Sequence, residues 1–109
     1  MAYDDSVVFI ESAIFTADVR RLLSDESYAA LQAQLAARPD AGDVIRGTGG
    51  LRKLRWVLPG KGKRGGARVI YYHVAAHAQI RLILIYPKGV KDDLTPREKA
   101  MLKKLNEAW

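Results

Sequence analysis

Cysteine is absent from the 109-residue sequence, and so are long apolar runs. Without cysteine there is no disulfide framework, no cysteine zinc site and no thiol nucleophile. No apolar run approaches the roughly 20 residues that span a bilayer, and the N-terminal MAYDDSVVFIES lacks the features of a secretory signal. With 49% hydrophobic and 28% charged residues, the composition is globular, and the length suits one domain over residues 1–109. We expect a soluble, cytoplasmic protein with no membrane partner.

Acidic residues are missing from one long segment, Leu51–Lys91, which contains ten Lys or Arg residues and no Asp or Glu. The formal net charge of +6 divides into −4 over residues 1–50 and +10 over residues 51–109. A run of like charge repels itself unless an anionic molecule lies against it. The pattern predicts a polyanion as partner, and the alternative is a solvated basic face that only aids solubility.

Apolar spacing and turn residues predict seven elements in the order β-α-α-β-β-β-α, which is an α+β fold with helices packed on a small antiparallel sheet. Ser24 is typical of a helix N-cap, and the capping box Thr95–Glu98 predicts the start of a C-terminal helix. The glycine-rich segments Asp40–Gly50 and Gly60–Gly66 are predicted as loops. The predicted strands are Val7–Ser12, Leu51–Leu58, Arg68–Val74 and Gln79–Tyr86, and the predicted helices are Ile14–Leu23, Asp25–Arg38 and Leu94–Trp109.

The segment GKGKRGGAR, Gly60–Arg68, is a candidate phosphate-binding loop. Its charges Lys61, Lys63 and Arg64 alternate with glycines, which allow the backbone to approach a ligand closely and to direct N–H groups at phosphate oxygens. The spacing is not that of a Walker A loop. The alternative is a flexible basic hairpin loop that contacts phosphates without specificity.

A second candidate segment, Tyr86–Lys91, follows the longest β-rich run. Side chains that leave a strand end often line a site. Tyr86 could stack on a base or exchange a proton, and Lys88 and Lys91 could contact phosphate. The alternative for Tyr86 is packing in the sheet with its hydroxyl in water.

The two histidines, His73 and His77, suggest an acid–base pair, but no carboxylate in Leu51–Lys91 is available to orient either ring. A spacing of four residues suits metal binding on a helix and not on a strand. Asp92 and Asp93 have side chains that could bind a metal, but their position fits better with the segment that precedes the last helix. The sequence therefore predicts no metal site.

Five segments resemble the HigB branch of the RelE-like toxins, and the likeness covers nearly the whole chain. The combination of the first three is fairly specific. The segments are GDVI at Gly42–Ile45, GTGGLRKLR at Gly47–Arg55, GKGKRGGARVIYY at Gly60–Tyr72, LIYPK at Leu84–Lys88 and the closing helix Leu94–Trp109.

The resemblance implies the toxin half of a type II toxin–antitoxin module. It implies a RelE/ParE-type α+β fold: a small twisted, mainly antiparallel sheet of about four strands, with two N-terminal helices and a C-terminal helix. The implied activity is ribosome-dependent cleavage of translated mRNA, in which the RNA 2′-hydroxyl attacks the adjacent phosphate without a metal or other cofactor. The implied partners are mRNA, the ribosome and a HigA-like helix-turn-helix antitoxin whose complex with the toxin binds operator DNA.

The resemblance also assigns site residues. Arg68 would stabilise the extra-negative transition state, because a guanidinium can bind two phosphate oxygens at once. Arg64, Tyr86 and Lys88 would complete the catalytic set, with Tyr86 or Lys88 as base only if nearby cations lowered a pKa that is ordinarily near 10. The residues expected to bind the RNA backbone are Lys53, Arg55, Lys61, Lys63 and Lys91.

The sequence departs from this family at one point. Some relatives have a catalytic tyrosine or histidine near the C-terminus, whereas Leu94–Trp109 contains neither. Tyr86 is therefore the predicted base in its place. Because one branch of the fold inhibits gyrase without cutting RNA, a toxin that acts by binding stays an alternative, as does a generic RNA-binding module.

Overall fold

The structure, a computed structural model, describes residues 7–57, 66–90 and 93–109. These residues form an α+β fold with helices on both faces of one five-stranded sheet. None of the helices within the described ranges is long and apolar enough to cross a bilayer. The elements in chain order are β1 (Val8–Glu11), α1 (Ala13–Leu22), α2 (Asp25–Ala37), β2 (Asp43–Val44), β3 (Arg52–Trp56), β4 (Ala67–Val74), β5 (Gln79–Pro87) and α3 (Pro96–Glu107).

The helix starts follow from side-chain caps, as the sequence predicts for α2 and α3. Ser24 Oγ accepts a hydrogen bond from Ser27 N at 3.1 Å, which satisfies one free N–H group at the start of α2. At α3 both halves of the capping box form: Glu98 N donates to Thr95 Oγ1 at 3.1 Å, and Thr95 N donates to Glu98 Oε1 at 2.8 Å. Helix α2 ends at Ala37, one residue before the end of the predicted helix Asp25–Arg38, and Pro39 follows its C-cap residue Arg38.

The sheet is mixed, with strand order β1-β5-β4-β3-β2. Strands β2 to β5 pair antiparallel, whereas β1 pairs with β5 in parallel. The expected α+β fold is confirmed, but the expected mainly antiparallel sheet of about four strands has five strands, and one of its four strand pairs is parallel. The predicted loop Asp40–Gly50 contains the short strand β2, and β1 lies parallel because α1 and α2 carry the chain away before it returns to the sheet, so no tight turn fixes its direction.

Two apolar clusters lie on opposite faces of the sheet. Helices α1 and α2 pack Phe15 and Leu31 against the face that carries Val69 and Tyr71. Helix α3 packs Leu102 against the other face, which carries Ile70. Because successive side chains of a strand point to opposite faces, β4 separates an α1–α2 face from an α3 face. The candidate site lies at one end of the α3 face.

A β-bulge in β5 sets the register of that end. The pairs Ile70–Leu84 and Tyr71–Leu82 leave Ile83 without a partner in the ladder. The backbone there is held by the N-cap of α1, since Ser12 N donates to Leu82 O at 2.9 Å and Ser12 Oγ donates to Ile83 O at 2.7 Å. The first helix therefore stabilises the irregular point of a strand more than 70 residues later.

Candidate functional site

Three polar side chains form a row across the end of the sheet on the α3 face. In the strand register, Arg55 of β3 lies opposite Arg68 of β4, and Arg68 lies opposite Tyr86 of β5. Directly opposed residues have Cβ atoms about 4.5–5.5 Å apart, so the row places two arginines and a tyrosine side by side across three strands. A regular ladder counted from the Val74–Gln79 pair would have placed Ile85 opposite Arg68. The bulge shifts the register by one residue and places Tyr86 there instead.

An open groove of about 370 Å³ lies at this row. Its lining includes Arg55, Arg68, Gly66 and the exposed Lys88, and Lys88 N donates to Gly66 O at 2.9 Å. A Cβ at Gly66 would lie 2.8 Å from the carbonyl oxygen of Trp56, closer than real side chains approach. Glycine is thus required at this position for β3 and β4 to close around the base of the groove.

Arg68 is 9% exposed, which is unusual for a charged side chain. Within the described ranges there are two ion pairs, and Arg68 takes part in neither of them. Its guanidinium acts electrostatically on the Tyr86 hydroxyl and on the Asp93 carboxylate. A fixed cation at the base of an open groove suits the binding of an anion that enters from solvent.

Tyr86 is buried at 6% exposure and packs with Leu94 and Leu102. Burial raises the pKa of its hydroxyl above the usual value of 10, and this outweighs the opposing effect of Arg68. At neutral pH Tyr86 is therefore protonated and can donate a hydrogen bond or a proton. Its environment does not favour the role of base that the sequence analysis predicts for it, because that role requires a lowered pKa.

Lys53 lies two residues before Arg55 on β3 and forms an ion pair with a residue that precedes α3. Lys53 Nζ lies 2.7 Å from Asp93 Oδ1. Lys53, followed by Lys99 and Arg68, lowers the pKa of the Asp93 carboxyl, so this group is ionised at neutral pH. The Lys53 side chain is 25% exposed, and that of Asp93 is 77% exposed.

Four of the predicted site residues lie outside the described ranges: Lys61, Lys63, Arg64 and Lys91. The remaining five, Lys53, Arg55, Arg68, Tyr86 and Lys88, lie on or directly after three adjacent strands at one end of the sheet.

The histidines are not part of this site. His73 pairs with Ile80, whose side chain belongs to the opposite face, and the exposed His77 lies in the turn between β4 and β5. Both lie at the other end of β4 from Arg68.

Two arginines of the acid-free segment have structural roles. Arg52 donates to Gly42 O at 2.8 Å and so ties β3 to the loop after α2. Arg81 donates to the backbone and side-chain oxygens of Asn106, both at 3.1 Å, and lies over the rings of Tyr72 and Trp109. Part of the basic segment therefore holds the fold together, and three of its other described basic residues, Arg55, Arg68 and Lys88, line the groove.

Sequence reasoning missed Asp93 and Lys99 as neighbours of the site. Asp93 is 40 residues from Lys53, and no local pattern predicts that contact. Lys99 lies in the first turn and a half of α3, where helical spacing alone does not show which charge faces the sheet.

The arrangement can bind an anion at the groove, and it places a protonated phenol next to a guanidinium. Arg55 and Arg68 present positive charge to the groove, and Tyr86 holds its proton beside Arg68. A pentacoordinate phosphorane needs both kinds of group: cations for its extra charge and a donor for the leaving oxygen. A comparison of the chain with models of known protein families gives no match.

Proposed function

We propose that this protein is a HigB-like toxin of the RelE/ParE type that cleaves translated mRNA on the ribosome. The proposal rests on the row Arg55–Arg68–Tyr86, in which Arg55 and Arg68 line an open groove and Tyr86 lies directly opposite Arg68. The acid-free segment supplies three described basic residues to this groove, Arg55, Arg68 and Lys88. The mixed α+β sheet with helices on both faces agrees with the proposed family at the level of fold class.

The proposed reaction is a transesterification of the RNA backbone. The 2′-oxygen forms a bond to the adjacent phosphorus, and the bond from phosphorus to the 5′-oxygen of the next nucleotide breaks. The 2′-hydroxyl loses its proton to water, the 5′-oxygen gains one from the protein, and the protein donor is reprotonated from water, so protons balance. The products carry a 2′,3′-cyclic phosphate and a 5′-hydroxyl.

Each residue of the row has a role in this reaction. Arg68 stabilises the charge that develops on the nonbridging oxygens, because its buried guanidinium is held in place before the substrate arrives. Tyr86 donates its proton to the 5′-oxygen, the role that its raised pKa favours. Arg55 and Lys88 at the rim of the groove hold the flanking phosphates.

The test is expression of the protein in growing cells, followed by primer-extension mapping of mRNA 5′ ends. We expect new 5′ ends within translated regions, which disappear when translation initiation is blocked. Arg68→Ala should abolish them, because removal of a single oxyanion-stabilising donor typically lowers a rate by about 10²–10³. Arg20→Ala is the matched control, since Arg20 is an exposed arginine of α1 and α1 packs on the opposite face.

Three results would contradict the proposal. Growth arrest without new 5′ ends would indicate a toxin that acts by binding, such as a gyrase inhibitor. Cleavage that persists at full rate in Arg68→Ala would show that the row is not the active site. Binding of RNA without arrest or cleavage would indicate a generic RNA-binding module.

A further inference from the structure

The Lys53–Asp93 ion pair occupies a position beside the groove where a phosphate of bound RNA could lie. Lys53 and Arg55 project from the same face of β3, two residues apart, so Lys53 lies next to the row along the strand direction. The Asp93 carboxylate has three cations around it: Lys53 at 2.7 Å, with Lys99 and Arg68 acting on it at longer range. An ionised carboxylate held by three cations has the charge and oxygen geometry of a phosphodiester contact.

The Lys53–Asp93 ion pair can be broken at little cost in stability. The Asp93 side chain is 77% exposed, and exposed ion pairs contribute little to stability because water and salt compete with them. The backbone at this point is anchored by the next residue, Leu94, which is 6% exposed and packs in the α3-side cluster. The position of the segment therefore does not depend on the carboxylate.

We propose that Lys53 and Lys99, next to Arg68, form a binding site for one RNA phosphate, and that Asp93 occupies this site in the free protein as an internal competitor. The inference rests on the proposed function, since it adds a phosphate site next to the cleaved bond. When RNA binds, its phosphate displaces Asp93, and Lys53 exchanges one anionic partner for another. The carboxylate lowers the affinity for RNA that lacks the other contacts of the substrate complex.

The experiment measures RNA binding by fluorescence anisotropy as a function of salt concentration. The probe is a labelled single-stranded RNA oligonucleotide with a 2′-O-methyl group at every nucleotide, which removes the attacking hydroxyl. Asp93→Asn is expected to bind more tightly than the unmodified protein, and its plot of log Kd against log salt should be steeper by about 0.7, the slope of one additional phosphate contact. If the two proteins bind equally at 1 M salt, this difference in slope makes Asp93→Asn bind roughly fivefold more tightly than the unmodified protein at 0.1 M salt.

Two further variants isolate the cause. Glu26→Gln adds the same unit of charge on α2, on the opposite face of the sheet, and is expected to change Kd by less than about twofold because salt screens distant charges. Lys99→Met is expected to weaken binding more in the Asp93→Asn background than in the unmodified protein, since Lys99 then contacts the phosphate in place of the carboxylate. Asp93→Ser is the second test of the carboxylate, and thermal unfolding verifies that each variant is folded.

An Asp93→Asn variant that binds RNA no more tightly than the unmodified protein, with an unchanged salt slope, would overturn the inference. Asp93 would then be only a tether between β3 and the start of α3, and the proposed function would stand if mRNA cleavage persisted. A failure of the unmodified protein to bind the probe or to cut mRNA would remove the proposed function and this inference together. The two failures are distinguishable because binding by the unmodified protein is measured in the same titration.

Discussion

Replacing Arg68 with methionine should make the protein more stable while removing its proposed activity. The buried Arg68 guanidinium lies directly opposite Arg55 in the register of β3 and β4. Like charges on directly opposed residues of a sheet destabilise it, and burial adds the cost of removing a charge from water. Methionine keeps much of the unbranched side-chain volume and removes both costs. A binding or catalytic role explains why a sequence keeps a residue that lowers the stability of the fold.

The expected change in the free energy of unfolding follows from the opposed pair Arg55–Arg68. A like-charged cross-strand pair costs up to about 1 kcal/mol, so we expect the free energy of unfolding to rise by about 0.5–1 kcal/mol. For a domain of this size the corresponding rise in Tm is about 2–4 °C. Urea denaturation at low ionic strength measures the change. In 1 M salt, where the Debye length falls to about 3 Å, the difference between the two proteins should shrink.

Arg52→Met is the matched control for this prediction. Arg52 also lies on β3, but its guanidinium donates to Gly42 O at 2.8 Å, so its loss should destabilise the protein. The reasoning would be refuted if Arg68→Met lowered the free energy of unfolding by more than about 1 kcal/mol, as Arg52→Met is expected to do. Arg68 would then be an anchor of the sheet, and its burial would carry no information about function.

Two further predictions concern the buried tyrosines. The hydroxyl of Tyr71 donates to Pro39 O at 2.7 Å and accepts from Gly42 N at 2.8 Å. Tyr71→Phe removes both hydrogen bonds and should lower the free energy of unfolding by about 1–3 kcal/mol in a urea titration. The control Tyr72→Phe, on the other face of the sheet, should change it little. Burial raises the pKa of both Tyr71 and Tyr86 in the folded state, so the stability that their protonated forms contribute is complete below about pH 10 and is lost as the pH rises through the folded pKa. Thermal unfolding between pH 8 and 11 should show this decline, and a Tm that stayed constant across that range would contradict it.

The local patterns of the sequence were sufficient to predict most elements of the fold. Helices α2 and α3 have the caps that the sequence predicts, and the β-rich runs before and after the turn at Ala75–His77 form the central hairpin. Ser12, which the sequence analysis assigns to the first strand, is instead the N-cap of α1. Pairing partners were not predictable in the same way. A short apolar run such as β1 indicates a strand but contains nothing that selects a parallel neighbour, and β2 has only two residues.

The candidate site was predictable in its residue types and not in its geometry. Arg68 and Tyr86 come from segments that the sequence analysis selected for their charge and their position at strand ends. The run QIRLILIY of β5 is apolar on both faces, so its alternation does not reveal where the register shifts. The Lys53–Asp93 contact joins residues 40 positions apart and depends on where α3 lies against the sheet.

The charge of the described helices differs between the two faces of the sheet. Helices α1 and α2 on one face carry three acidic residues and two basic ones, whereas α3 on the other face carries four basic residues and two acidic ones. A polyanion is therefore attracted more strongly to the α3 face, where the row lies, and this orients its approach.

The bulge at Ile83 connects the fold to the proposed chemistry. Without it the ladder would place Ile85 opposite Arg68, and the Tyr86 hydroxyl would point to the α1–α2 face. With the bulge, the side chain of Ile85 packs in the core on the α1–α2 face, and Tyr86 lies opposite Arg68. Ser12 holds the bulge through two hydrogen bonds while it caps α1, so the same side chain starts a helix and fixes the register of the site. The position of Tyr86 opposite Arg68 therefore depends on a serine near the other end of the chain, because one residue of extra strand length decides which face each side chain occupies.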